Sequence, residues 1–382
     1  MRAAVAMISS VVIAAAFALP ADAAPAWSVR VDVSAPPSTE LTAAACNTST
    51  HCFAVGYRQT DASYTPTIEQ GKGSSWSLMK SPVPAGARPN DFPPLADVAC
   101  AAPKSCFAVG TYRNARSRPT GLIEHWNGSV WQLMKPATPL TTPQGALSQQ
   151  TSFKSVSCPG AKSCYAVGYY QGLNGAIATL VEHWNGTLWA VQTAPTSAAP
   201  ATVLNGVSCA ADTSCFAVGT SYWPRYTKPF VARWSGTTWS TVASPYLASA
   251  ALSTISCASA TSCFAVGSVA TPTSIALLEH WNGAKWSRVL LNMPAANHFS
   301  GVSCPTTTFC LAVGQRAWTG VSSRTFAEQW DGKTWSAVTT PNHAGATSNW
   351  LDSVACSSAS VCLSVGSYVS NDKLHALIEN YG

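Results

Sequence analysis

Charge is what this chain most lacks. Only 10% of its 382 residues are Asp, Glu, Lys or Arg, against about 25% in an ordinary soluble domain. The net charge of +6 is spread thinly, with no cluster of Lys and Arg, so no nucleic-acid footprint is expected. Long hydrophobic runs are missing too. The apolar stretch Val11–Leu19 falls well short of the roughly 20 residues that cross a bilayer, and no later stretch is longer, so no membrane span is expected. Calcium loops of the Asp-x-Asp-x-Asp-Gly kind, Gly-x-Ser-x-Gly elbows and phosphate loops are absent.

The first residues read as an export signal. Arg2 forms the charged region, Val11–Leu19 the apolar region, and Ala21-Asp22-Ala23 fits cleavage after Ala23. The expectation is a signal peptide over 1–23 and a secreted domain over 24–382. An oxidising compartment also suits the cysteine content.

What the chain has in abundance is cysteine at one spacing. Seven pairs have five residues between them: Cys46/Cys52, Cys100/Cys106, Cys158/Cys164, Cys209/Cys215, Cys257/Cys263, Cys304/Cys310 and Cys356/Cys362. All fourteen are used, and successive pairs start 54, 58, 51, 48, 47 and 52 residues apart. A repeat of that length points to propeller blades. In the third copy, Phe153–Cys158 alternates like a strand and Pro159–Ser163 is a turn. Cys164–Gly168 is a covered apolar strand, Thr179–Trp184 a third strand, and Trp189 opens a fourth. Asn185-Gly186 between the last two suggests a type I′ turn.

The Trp-Asn-Gly corner recurs as Trp126/Trp131, Trp184/Trp189, Trp281/Trp286 and, with Ser or Asp for Asn, Trp234/Trp239 and Trp330/Trp335, whereas the first copy has Gly71 and Trp76. Such rings, each able to bury about 150–250 Å², are expected to pack between neighbouring blades. The last copy stops at Ile378–Gly382, at its third-to-fourth corner, and Trp27–Val31 looks like an orphan outer strand. Closure of a ring by the N-terminal strand completing the last blade would leave no sheet edge unpaired. The fold expected is all-β: a seven-bladed β-propeller with four antiparallel strands per blade.

An apolar strand ending in Gly, a third strand, then Trp opening a fourth resembles the layout of kelch and galactose-oxidase-type propellers over Trp27–Gly382. Kelch repeats end the second strand with two glycines, whereas here there is one, at Gly56, Gly110, Gly168, Gly219, Gly267, Gly314 and Gly366. The corner Asp331-Gly332-Lys333-Thr334-Trp335 is similar to the Asp-box of other propellers. The resemblance implies architecture and transmits no activity. Copper-radical chemistry of the galactose-oxidase type would need a cysteine cross-linked to tyrosine, and each cysteine here has a hairpin partner. The loop arginines form no carboxylate-binding trio of the sialidase kind.

Each cysteine pair is read as a disulfide across a tight hairpin, where facing Cα atoms lie about 4.5–5.5 Å apart. So short a loop contributes roughly 2–2.5 kcal/mol per bond in the chain-entropy model. Zinc would need four ligands, so no metal and no cofactor are expected. A glutamate recurs in the third strand at Glu69, Glu124, Glu182, Glu279, Glu328 and Glu379, with Ala232 in the fourth copy. Far from the axis, these read as clamps to a neighbouring loop. His125, His183 and His280 follow three of them and face the other way.

The connections between second and third strands carry the residue types of binding hot spots. The candidates are Tyr57, Tyr112, Arg113, Tyr169, Tyr170, Tyr222, Trp223, Arg225, Tyr226 and Trp318. They are placed on the face opposite the disulfides, where loops on a rigid scaffold concentrate function. The reading is a secreted, monomeric, non-catalytic binding module for an extracellular glycan or protein. Two alternatives stay open. One is a carbohydrate-active hydrolase or lyase drawing on Asp61, Asp91, Asp97, Asp352 and Asp372; the other is a structural envelope scaffold.

Overall fold

A computed structural model describes residues 26–30, 35–61, 63–73, 75–92, 94–137, 148–245, 247–270, 274–291, 297–317 and 322–382. The signal peptide expected over 1–23 lies outside them. No helix occurs among the described residues, which form strands in five four-stranded sheets and one eight-stranded sheet. The two four-stranded halves of the larger sheet are linked by one parallel bridge, Ile177 with Ala201. Inner strands from all seven repeats line one axial cavity, and apolar clusters fill the space between successive sheets. The chain is an all-β propeller.

The third repeat shows how a unit is built. Its strands run Ser148–Gly160, Ser163–Gly172, Ile177–Trp184 and Trp189–Val191. The first two extend further than the apolar pattern suggests, because the hairpin stays paired as far as Ser148 with Gly172. The second strand is buried almost throughout, as its continuous apolar run requires. The outer strand is only three residues long, Trp189–Val191.

The corners differ from the type I′ expectation. Gly128, Gly186, Gly236, Gly283 and Gly332 have φ of 90–99°, whereas the residues before them do not have positive φ. Instead, the Asn127 side-chain oxygen accepts the Ser129 and Val130 amides, both at 3.0 Å. Asp331 does the same for Lys333 and Thr334, at 2.8 and 2.7 Å. Side-chain capping replaces the second left-handed residue.

All seven disulfides are formed, each within its own hairpin. Their Cα atoms are 3.9–4.1 Å apart, closer than the ordinary cross-strand spacing. The two sulfurs of a pair sit in different surroundings. The first cysteine is half-buried in every repeat but the sixth, where Cys304 is buried. The second opens the apolar strand and goes into the core: Cys106, Cys164, Cys215 and Cys263 are 0% exposed and Cys310 is 1% exposed. The third-strand tryptophan stands opposite each of them across the ladder, as Trp126 does for Cys106, Trp234 for Cys215, Trp281 for Cys263 and Trp330 for Cys310. The Asn-Gly corners share their end of the molecule: Gly128 lies against Lys104 and Gly186 against Lys162, both in disulfide hairpins.

The tryptophans follow one packing rule. A ring just after the second cysteine of one repeat meets both tryptophans of the next. Phe53 lies 5.2 Å from Trp126 and 5.1 Å from Trp131, and Phe107 lies 5.5 and 5.3 Å from Trp184 and Trp189. Tyr165, Phe216 and Phe264 repeat the arrangement. At the termini, Trp27–Arg30 pairs antiparallel with Lys373–Tyr381, Trp27 opposite Tyr381. Leu41, Ala44 and Trp76 then pack on Leu363, Val365 and Ile378, joining the first repeat to the last.

Candidate functional site

Two features position side chains at the axis. Each inner strand carries a register shift opposite the glycine within the second strand, as between Leu41 and Ala43 opposite Gly56 and between Phe153 and Ser155 opposite Gly168. A Cβ at Gly56 would overlap the Glu40 carbonyl and one at Gly168 the Ser152 carbonyl, so only glycine admits the bulge. The bulged residues Thr42, Ala96, Lys154, Asn205, Ser253, Ser300 and Asp352 all line the axial cavity, which holds about 240 Å³. A bulge re-aims one side chain per strand, and here seven of them converge.

The charged groups in and around this channel are strongly perturbed. Asp97 accepts hydrogen bonds from the Val98 amide (2.8 Å), the Ser155 hydroxyl (2.7 Å) and the Val156 amide (2.9 Å), so it ties two inner strands together. Burial nevertheless pushes its carboxyl up to about 6. Burial, and secondarily the Glu40 charge, raises Asp352 well above the usual carboxylate range. Glu40 is itself raised by burial, opposed by a hydrogen bond with Tyr57. Burial lowers the Lys154 ammonium.

The recurrent glutamates behave differently. All six are buried, and three reach the connection that follows the preceding repeat. Glu124 accepts from the Ser81 hydroxyl at 2.7 Å, Glu182 from the Ala137 amide at 2.9 Å, and Glu279 from the Ser244 hydroxyl at 2.8 Å. Burial pushes Glu124 and Glu182 up to about 8, and Glu69, Glu279 and Glu328 to about 7. The adjacent histidines stack on the cross-strand ring: His125 on Phe107 (4.5 Å), His183 on Tyr165 (4.5 Å), His280 on Phe264 (4.3 Å). They are packing elements, and burial lowers their pKa.

On the face opposite the disulfides, a groove of about 290 Å³ opens between the first two repeats. Tyr64, Tyr112, Leu122 and Arg88 line it with Pro66, Pro82, Pro84, Pro89 and Pro94. Prolines keep the wall stiff, because φ is fixed and no amide needs a partner. Arg88 is held by its Nε, which donates to the Ala115 carbonyl at 2.9 Å.

Most sequence candidates sit at strand ends, since the second strands run on to Gln59, Arg113, Gly172 and Trp223. Tyr57 and Tyr170 are turned inward, each 9% exposed, and Tyr57 lies edge-on to Tyr64 at 5.1 Å. Tyr112 is in the groove, while Tyr169 is half-buried outside it. Arg113 grips Asp91 through Nε (2.8 Å) and Nη2 (2.6 Å) and covers Phe92, so it builds the loop. Tyr222 is exposed. Trp223 and Tyr226 stack at 6.0 Å across the turn that carries Arg225, with the Lys228 ammonium over both rings. Trp318 lies outside the described residues. The candidates therefore share no single groove: Tyr112 lines the one between the first two repeats, whereas Trp223 and Tyr226 stack apart from it.

Four of the second cysteines belong to no accessible site. Cys106, Cys215, Cys263 and Cys310, paired as expected, are sealed inside four different inter-sheet clusters. Their strand is covered on both faces, so a ligand cannot reach these sulfurs, and their part is in the core.

Of the carboxylates considered for catalysis, Asp97 and Asp352 line the channel. Asp61 is exposed on its loop, Asp91 is engaged by Arg113, and Asp372 occupies a turn with φ 58°. Sequence reasoning missed Lys154 and Arg88. It also missed a stack of His343, Tyr368 and His375, with ring centroids 4.0 and 5.0 Å apart. The density of prolines between Pro82 and Pro94 was the available signal for the groove.

No protein-family model and no curated protein matches this chain. Among solved structures it is similar to YCF48 bound to D1 peptide, with 14% identity, TM-score 0.52 and 94% and 96% of the two chains covered. YCF48 from Cyanidioschyzon merolae is 15% identical, TM-score 0.53, over 93% of this chain and 98% of that one. An ulvan lyase of polysaccharide lyase family PL25, bound to -[GlcA(1-4)Rha3S]-, is 9% identical, TM-score 0.52, over 91% and 94%. These likenesses carry the propeller fold alone and do not reach the kelch or galactose-oxidase type.

Proposed function

We propose that this chain is a secreted, non-catalytic binding module that holds an extracellular glycan or protein segment on the face opposite its disulfides. The observation that carries the reading is the stiff, proline-walled groove with Tyr64, Tyr112 and Arg88 converging on it. Concave, mainly apolar sites with a few placed polar groups are where ligands bind. Tyrosine faces suit both sugar rings and peptide side chains. The patch of Tyr222, Trp223, Arg225 and Tyr226 would extend the same surface. The ligands named for similar folds, a D1 peptide and a sulfated glycan, are of these two classes.

In this reading the eight-stranded sheet counts as two blades, giving a seven-bladed ring over a single domain, 24–382. The mature chain starts after Ala23 and acts as a monomer. Seven disulfides suit an oxidising, extracellular setting. The discriminating experiment screens the mature protein on glycan and peptide arrays, then assays the hits for turnover. Saturable binding without product supports the reading; product formation overturns it.

Hydrolase or lyase chemistry is the second reading, favoured by Asp97, Asp352 and Lys154 sharing one cavity with shifted ionisation. It requires that Asp352→Asn abolish any turnover detected.

A further inference from the structure

The tryptophan packing rule weakens at the sixth-to-seventh seam, where Leu311 replaces the ring and Tyr381 the third-strand indole, and is lost altogether at the seam between the last repeat and the first, where a cavity opens. In the second to sixth repeats, the third strand ends in Trp126, Trp184, Trp234, Trp281 or Trp330; in the first, the residue is Gly71. The aromatic that would pack on that indole from the preceding repeat is also absent, because Leu363 stands where Phe53 or Phe107 stands elsewhere. Both losses fall on the seam between the last repeat and the first. A cavity of about 270 Å³ lies there, lined by Gly71, Trp76, the Cys46–Cys52 disulfide, Leu363 and Tyr381.

The empty seat keeps the features that hold an indole elsewhere. Trp126 donates its Nε1 hydrogen to the Pro103 carbonyl (3.2 Å), Trp234 to Asp212 (2.9 Å), Trp281 to Ala260 (3.2 Å) and Trp330 to Thr307 (3.2 Å). Each acceptor lies three residues after the first cysteine of its hairpin. The corresponding residue in the first repeat is Ser49, which lines the cavity, and Gly71 offers it no indole. Trp76 leans over Gly71, with its ring edge 2.8 Å from where a Cβ would stand, yet the cavity persists beside it. No charged side chain lines the walls. Rim residues Ser28, Ser49, Thr50 and Gly73 are exposed, so the seat is reachable from the disulfide face.

We propose that this seam cavity is a binding site for an indole, the side chain of a tryptophan presented by a partner polypeptide, with the Ser49 carbonyl accepting its N–H. The site lies on the face opposite the groove and is independent of the function proposed for that groove.

The test titrates the mature, oxidised protein with N-acetyl-tryptophanamide and follows amide shifts by NMR. The expected result is saturable one-to-one binding that moves Thr50, Gly71 and Gly73. The 1-methylindole analogue should bind at least about fivefold more weakly, for want of the N–H donor. Gly71→Trp should refill the seat and abolish binding. Leu363→Phe, which narrows the same cavity without altering the corner, should weaken it at least about tenfold, while Tyr112→Ala should leave it unchanged. Absence of saturable binding by the wild type, shifts confined to the opposite face, or undiminished binding by folded Leu363→Phe would each overturn the proposal.

Discussion

At the residue scale, one atom separates a flat strand from a bulged one. Glycine stands inside the second strand because the Ser152 carbonyl occupies the space a Cβ at Gly168 would need. Gly168→Ala must therefore push the inner strand off its bulge or strain the hairpin, and is expected to cost at least about 2 kcal/mol. Chemical denaturation measures this, and an unchanged midpoint would show that the bulge tolerates a side chain. Phe107, fully buried between two tryptophans of the next repeat, should cost about 3–5 kcal/mol on replacement by alanine. The glycines stand out in the sequence, but the bulge does not, because the overlap involves a residue sixteen positions earlier. Tyr57 and Tyr170 were misleading for a related reason. The strand continues past the glycine, so these residues alternate between core and surface where a loop had been expected.

At the scale of the element, the third-strand glutamates couple stability to pH. Burial raises Glu124 and Glu182 to about 8 and Glu69, Glu279 and Glu328 to about 7. These values lie above those of the unfolded chain, so the native state binds more protons across the interval between. The stabilisation is full below the unfolded carboxylate pKa and is lost as pH rises through 7 to 8. Thermal unfolding at pH 5 and pH 9 should give a lower Tm at the higher pH. Replacing Glu124 and Glu182 with Gln should flatten the difference. A Tm that rises over this range would contradict the burial argument. The repeated Glu was visible in the sequence, and the clamp expected of it is seen at Glu124, Glu182 and Glu279, whereas both oxygens of Glu69 and Glu379 are buried without a hydrogen-bond partner among the described residues. Which partners it finds, Ser81, Ala137 and Ser244, depends on connections that vary from copy to copy.

At the scale of the whole molecule, the repeat, the hairpin disulfides and the pairing of Trp27–Arg30 with the last strand were legible because each is written locally. The depth of the second cysteines was not, because the sheets that cover Cys106 or Cys263 come from neighbouring repeats. The axial channel was hidden for the same reason. Its side chains come from seven segments about fifty residues apart, and only the fold brings Lys154, Asp97 and Asp352 into one cavity. The groove at Tyr64 and Tyr112 also spans two repeats. Removing Trp27–Arg30 exposes the edge of Lys373–Tyr381 and takes Trp27 off Tyr381, where the rings lie 5.4 Å apart. The Tm should fall by several degrees, and calorimetry showing no change would refute closure by this strand.

The central claim, that the proline-walled groove is the ligand-binding surface, is tested most directly by array binding of a Tyr64→Ala/Tyr112→Ala double variant beside the wild type. The account predicts that the wild-type hits weaken at least about tenfold, as for the loss of two hot-spot rings, while Asp352→Asn binds as the wild type does. An unchanged hit pattern and affinity in the folded double variant would contradict it.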